Sequence, residues 1–147
     1  MFAMRRALRK WSELPRRERR VLVEAALLLL AVHVLQQALP FRRWRALLTR
    51  PRPSGGVRPD APSPDQIAQA VERARRTLPG DYKCLPAAYT GHLLLHRHGY
   101  ASAIQVGVAH DAKGQVEAHA WVEACGRILI GALPDLERFV PFPPLEV

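Results

Sequence analysis

The chain has 147 residues, 48% of them hydrophobic, which suffices for one domain with a packed core. Its two cysteines, Cys84 and Cys125, exclude a disulfide framework, and neither lies at a metal-type spacing, so a reducing cytosol is the default compartment. The net charge of +9 is concentrated at one end: residues 1–60 carry fourteen Arg and Lys against four Asp and Glu, a balance of +10, and residues 61–147 carry eight against nine, a balance of −1. Such a block suits an anionic membrane surface, nucleic acid, an acidic protein partner or simply a solvated face. Nucleic acid fits worst, because its recognition needs aromatic residues among the basic ones, and only Trp11 and Trp44 lie in the basic third.

Pro15 suits the first turn of a helix that runs to about Leu39 and is stopped by Pro40. The apolar stretch from Val21 to Leu39 follows an Arg-rich segment and superficially resembles a signal peptide or anchor. Glu24, His33, Gln36 and Gln37 interrupt it, however. Its unbroken part, Ala25 to Val32, falls far short of the ~18–20 residues a span needs. No small-residue cleavage site follows. A buried or surface-docked amphipathic helix is therefore expected. Phe41 to Leu48 suits a further short helix, with Trp44, Leu47 and Leu48 inside and Arg42, Arg43 and Arg45 outside. Residues 1–50 form a basic helical region and 51–63, rich in proline and glycine, a linker.

Ser63-Pro64-Asp65-Gln66 is a helix start in which Ser63 caps, Pro64 takes the first helical position and Gln66 completes a capping box. Ile67, Val71, Ala74 and Leu78 recur at helical spacing and make a buried stripe, ended by Pro79-Gly80. The next helix begins near Cys84, with Pro86 tolerated in its first turn, Ala88 and Leu93 to Leu95 facing the core and Gly99 as its stop. Beyond Gly99 the period changes to two. Ala103 to Ala109 reads as a strand, Asp111 to Gly114 as a turn and Gln115 to Glu123 as a second strand. Cys125-Gly126 fits a tight hairpin turn into a third strand, Arg127 to Leu133, and Phe139 to Pro144 is a proline-bound tail. Helices followed by an antiparallel meander define the α+β class, with a cysteine-bearing helix packed on a histidine-bearing sheet.

The chemistry falls on Cys84 and His119. Free N–H groups and the helix dipole at a helix start favour a thiolate, and the same N–H groups can form an oxyanion hole. A histidine on the sheet supplies the base and later protonates a leaving amine. A small buried hydrophobe is the bland alternative for Cys84, and a satisfied sheet histidine the bland alternative for His119. Cys125 lies in an exposed turn with neither dipole nor base. His92 and His96 have ligand spacing on a helix, but Leu93 replaces the glutamate of a zincin motif and no third ligand is evident. No phosphate-binding glycine loop is present, so no cofactor is expected in the chain and any use of ATP would come through a partner. If Cys125-Gly126 is a two-residue turn, Ala120 faces Gly131 and His119 faces Ala132, and neither orients the ring. Asp135 lies just beyond and can fold back as third member, Glu117 and Asp111 are weaker choices, and a backbone carbonyl or water leaves a dyad.

Together, Cys84-Leu85-Pro86, His96-Arg97-His98-Gly99-Tyr100, Ile104-Gln105-Val106-Gly107-Val108 and Ala118-His119-Ala120-Trp121-Val122-Glu123 resemble the leader peptidases of lasso-peptide biosynthesis, the transglutaminase-like B proteins of microcin-type clusters. The resemblance covers about residues 64–133 and implies a transglutaminase- or papain-like cysteine peptidase domain over 64–147. It implies removal of the leader from a ribosomal precursor peptide, which frees the core's α-amine for a partner cyclase. Cys84 matches the nucleophile and His119 the base. The acidic member of the family falls about a dozen residues after the histidine, where this chain has Gly131. Implied partners are the precursor, a separate leader-recognition protein, an ATP-using cyclase and, for the basic N-terminus, an exporter or the membrane. A different papain-like amidohydrolase and a non-catalytic adaptor of the maturation complex are the alternatives. A cytoplasmic protein, membrane-associated through its basic end, is the expected setting.

Overall fold

The computed structural model describes residues 2–48 and 55–143. Residues 51–54 of the expected linker and Pro144 of the expected tail lie outside them. Among the described residues five helices precede a small sheet: α1 (Phe2–Glu13), α2 (Arg16–Ala38), α3 (Phe41–Leu48), α4 (Pro64–Thr77) and α5 (Cys84–Arg97). The strands are β1 (Ala103–His110), β2 (Val116–Ala124), β3 (Arg127–Ile130) and β4 (Val140–Pro141), in the order β3-β2-β1-β4 and antiparallel throughout. A short 3₁₀ turn, Leu136–Arg138, precedes β4. The class is α+β, as the order of helices and meander implies.

Local chemistry sets the boundaries. Ser63 Oγ accepts from Gln66 N–H while Gln66 Oε1 accepts from Ser63 N–H, so the capping box at α4 is complete. Gly99 ends α5 at φ +91°, and Tyr100 N–H returns to Leu95 C=O at 2.8 Å, the 6→1 bond of a left-handed helix stop. Cys125 and Gly126 both have positive φ, 54° and 74°, as a two-residue hairpin turn matched to strand twist requires. Asp111 Oδ1 accepts from Lys113 and Gln115 N–H and closes the β1–β2 turn.

One apolar core joins the helices to one face of the sheet. Val21, Ala25, Leu29 and Val32 of α2 meet Ile67, Val71 and Ala74 of α4, Ala88, Leu94 and Leu95 of α5, and Ile104, Ala120 and Val122 of the sheet. Leu78 and Leu93 are only partly buried at its margin. Trp44 of α3 is buried and meets Tyr89 of α5 edge-on at 4.7 Å. Burial pushes the Tyr89 hydroxyl's pKa up, opposed by Arg45 beside it. Trp44 and Leu48 lie inside and Arg42 and Arg43 outside, as expected, but Arg45 is half-buried and Leu47 exposed, the reverse of the expectation at those two positions.

Three further expectations are corrected. Pro15 stands as the N-cap of α2 rather than in its first turn, and the basic helical region is divided there, with α1 before it. β3 ends at Ile130, not Leu133. The tail holds a strand: Val140 and Pro141 pair with Val108 and Gly107 at the outer edge of β1, where a proline costs no ladder bond.

Candidate active site

Cys84 is the first residue of α5. Its N-cap, Lys83, makes no side-chain cap bond, and the first helical bond runs from Ala87 N–H to Lys83 C=O. Pro86 has no N–H, so Lys83, Cys84 and Leu85 supply the N–H groups at this helix start with no intrahelical acceptor. The Cys84 thiol is half-buried against the core. Cys84 thus stands at the positive end of α5, beside free main-chain donors.

His119 sits on β2, paired with Gly107 of β1. Side chains alternate along β2. Ala120, Val122 and Ala124 enter the main core, whereas Trp121 joins a second cluster with Phe139 and Ala109. His119 shares that second side. Its ring lies near-parallel to Trp121 at 6.2 Å between centroids and tilted against Phe139 at 5.6 Å. Trp121 Nε1–H donates to Glu123 Oε1 at 3.0 Å, which fixes the indole. Gly107 makes room for this wall: a Cβ there would lie 3.0 Å from the Trp121 ring and 3.1 Å from Phe139 Cβ.

The ring is oriented by the main chain. His119 Nε2–H donates to the Gly131 carbonyl at 2.7 Å, which leaves Nδ1 as the acceptor of the neutral ring. The carbonyl reaches this position because the β2–β3 register is not the simple one expected from a two-residue turn. Ala124 pairs with Arg127 and Glu123 with Ile128, but Val122 pairs with Ile130. Leu129 is the extra residue of a β-bulge, which shifts everything beyond it by one position.

The side chains considered for the orienting role are engaged elsewhere. Asp135 Oδ2 accepts from Arg138 Nε at 3.0 Å and Glu117 Oε2 from Arg138 Nη2 at 2.9 Å. Arg138 also donates to His110 C=O and covers the Phe139 ring. Asp111 closes its own turn. The structure therefore does not join Asp135 to His119. Nor does a hydrogen bond join Cys84 to His119 among the described residues. Cys125 is exposed in its hairpin turn, and His92 of α5 is buried with Nδ1 2.7 Å from Ser102 Oγ. Among the described residues no group of three His, Cys, Asp or Glu is placed to hold a metal ion. Phe139 was not expected here. Its signal was an apolar pair, Phe139-Val140, inside a segment otherwise marked by proline.

A helix opening on a cysteine, packed on an antiparallel sheet that carries a histidine, is the architecture of a papain-like cysteine peptidase or amidohydrolase. The chain belongs to the transglutaminase-like superfamily, whose profile matches residues 26–143, from the middle of α2 through β4. That superfamily generally includes cysteine proteases. No curated protein and no solved structure matches the chain.

Proposed function

We propose that the protein is a cysteine peptidase that removes the leader from a ribosomal lasso-peptide precursor, with Cys84 as nucleophile and His119 as base. The observation that carries the reading is the His119 Nε2–H bond to Gly131 C=O, together with a cysteine at the uncapped start of α5. A ring tied at Nε2 presents Nδ1 as a base without needing a carboxylate. The superfamily match supports the cysteine-peptidase chemistry, and the resemblance of the motifs from Cys84 to Glu123 supports the substrate class.

The reaction runs as acyl transfer. In this reading His119 Nδ1 takes the Cys84 proton. The thiolate attacks the scissile carbonyl carbon, and the oxyanion is met by the Cys84 and Leu85 N–H groups. The imidazolium returns its proton to the leaving nitrogen, so the carbon–nitrogen bond breaks and the core's α-amine departs. Water, deprotonated by His119, then hydrolyses the thioester, releasing the leader as a carboxylate and restoring the thiol. A separate recognition protein delivers the leader, and an ATP-using cyclase joins the freed amine to an acidic side chain. No cofactor in this chain enters these steps.

Incubation with precursor and recognition protein, followed by mass spectrometry, tests the reading. Leader release lost in Cys84→Ala and retained in Cys125→Ala supports it. Precursor binding without release by the wild-type protein favours the adaptor, a reading suggested by the lack of a Cys84–His119 hydrogen bond. Release from unrelated peptides with no effect of the recognition protein favours a general amidohydrolase.

A further inference from the structure

We propose that the N-terminal helices α1 and α2 form an interfacial docking surface for anionic lipid bilayers, independent of the peptidase reading. α2 is amphipathic in an unusual way. One side, Val21, Ala25, Leu29 and Val32, is built into the core, yet the opposite side is also apolar: Val23, Leu27, Leu30 and Val34 are exposed, Leu27 at 64% and Val34 at 54%. Their spacing of four, three and four residues makes one straight stripe of about 16 Å. Cations bracket it. Arg16 and Arg20 stand on the same side at one end, and Arg42 and Arg43 of α3 are exposed beyond the other.

α1 has the same character. Met4 and Leu8, 65% and 61% exposed, and Trp11 recur at four and three residues, while Arg5, Arg6, Arg9 and Lys10 occupy the other side. A helix with aromatic and aliphatic residues on one side and Arg or Lys on the other lies in the plane of a membrane interface. Spanning is a different matter. α2 is long and apolar enough to cross a bilayer by composition, but crossing would strip Val21, Ala25, Leu29 and Val32 from the core.

Charge selects the occupant. A second copy laid on the stripe in either direction sets arginines against arginines, and a four-residue stripe is small beside the ~800 Å² per partner of a standard interface. An anionic bilayer surface accepts the apolar side and attracts every cation around it.

Co-sedimentation of the full chain with phosphatidylcholine vesicles, with and without phosphatidylglycerol, tests this. The expected result is partition into anionic vesicles that weakens with salt, with a blue shift of Trp emission that Trp11→Phe removes, since Trp44 and Trp121 are already buried. Leu27→Glu with Leu30→Glu, both at exposed positions, lowers partition about tenfold or more while circular dichroism is unchanged. Should that variant lose its fold, Arg16→Gln with Arg20→Gln carries the test through a shallower salt dependence. No partition of the wild-type chain, equal partition into neutral vesicles, or self-association in lipid-free buffer that Leu27→Glu dissolves would each overturn the proposal.

Discussion

His119 and Gly131 are joined by a single bond that does the work expected of a third side chain: Nε2–H to carbonyl oxygen, 2.7 Å. A carbonyl can only accept, so the bond fixes the tautomer and leaves Nδ1 unprotonated in the neutral ring. In Cys84→Ala, where no thiolate can charge the ring, nitrogen NMR of His119 is expected to show Nε2 protonated and Nδ1 free. The reverse tautomer would remove the basis for Nδ1 as the base.

Gly131 is also where the resemblance to the leader peptidases implies an acid, which suggests introducing one. The backbone forbids that. Gly131 has φ +83°, and a Cβ would lie 2.7 Å from Ala120 O and 3.0 Å from Trp121 Cα and Cβ. Two of these obstacles are main chain and the third is the Cβ fixed to it, so the strand ending must move. Gly131→Asp and Gly131→Ala are both expected to cost about 2–3 kcal/mol in denaturant melts. Activity should fall with both, because the same displacement takes the carbonyl from His119. A gain of activity in Gly131→Asp would show that the loop accommodates a carboxylate and that the main-chain bond is dispensable.

If His119 is the base, its removal costs the general acid–base contribution of about 10²–10⁴ in kcat/KM. His119→Ala should therefore lower leader release by that factor with precursor binding retained. Asp135→Asn, which leaves the Gly131 bond intact, should stay within about threefold of wild type. A loss in Asp135→Asn comparable to that in His119→Ala would return the acid to the site.

The fold was legible wherever a local rule governed it: Ser63 with Gln66 at a helix start, Gly99 at a helix stop, Cys125-Gly126 at a hairpin. The positions of Cys84 on a helix start and His119 on a strand followed from the same rules. What sequence could not give was register. One extra residue, Leu129, slides Gly131 past its expected partner, and a bulge leaves no compositional trace in an apolar run of Ile128, Leu129 and Ile130. β4 was hidden because Pro141 is a strand residue only at an edge, and edges are a property of topology. Arg45 lies beside Tyr89, more than forty residues away in sequence, a tertiary neighbour that helical spacing alone does not reveal.

The close packing of α5 on β3 gives a compensating pair. Gly91 has no side chain to offer, and a Cβ there would overlap Ile130 Cδ1. Gly91→Ala should destabilise by about 1–3 kcal/mol through overpacking, although alanine favours a helix. Ile130→Val removes the offending methyl and alone costs about 0.5–1.5 kcal/mol. The double variant should recover at least part of the Gly91→Ala loss. Strict additivity in the thermodynamic cycle would show that the two residues are not in conflict.

Asp65 and Arg127 tie the start of α4 to the start of β3 through two hydrogen bonds of 2.6 and 2.8 Å. The Arg127 bond holds the Asp65 carboxyl below its ordinary value of 3.8, against a smaller opposing push from desolvation. A carboxyl depressed in the folded chain binds protons more readily when unfolded. Its contribution is thus complete above the unfolded value and is lost as pH falls through the folded one, below about pH 4. Both groups are exposed, so the pair is screened and its effect small at neutral pH. Arg127→Ala should flatten the acid limb of the stability profile, with little change near pH 7, and added salt should flatten the wild-type limb toward it. Parallel acid limbs in the two proteins would show that Asp65 titrates alike in the folded and unfolded chain.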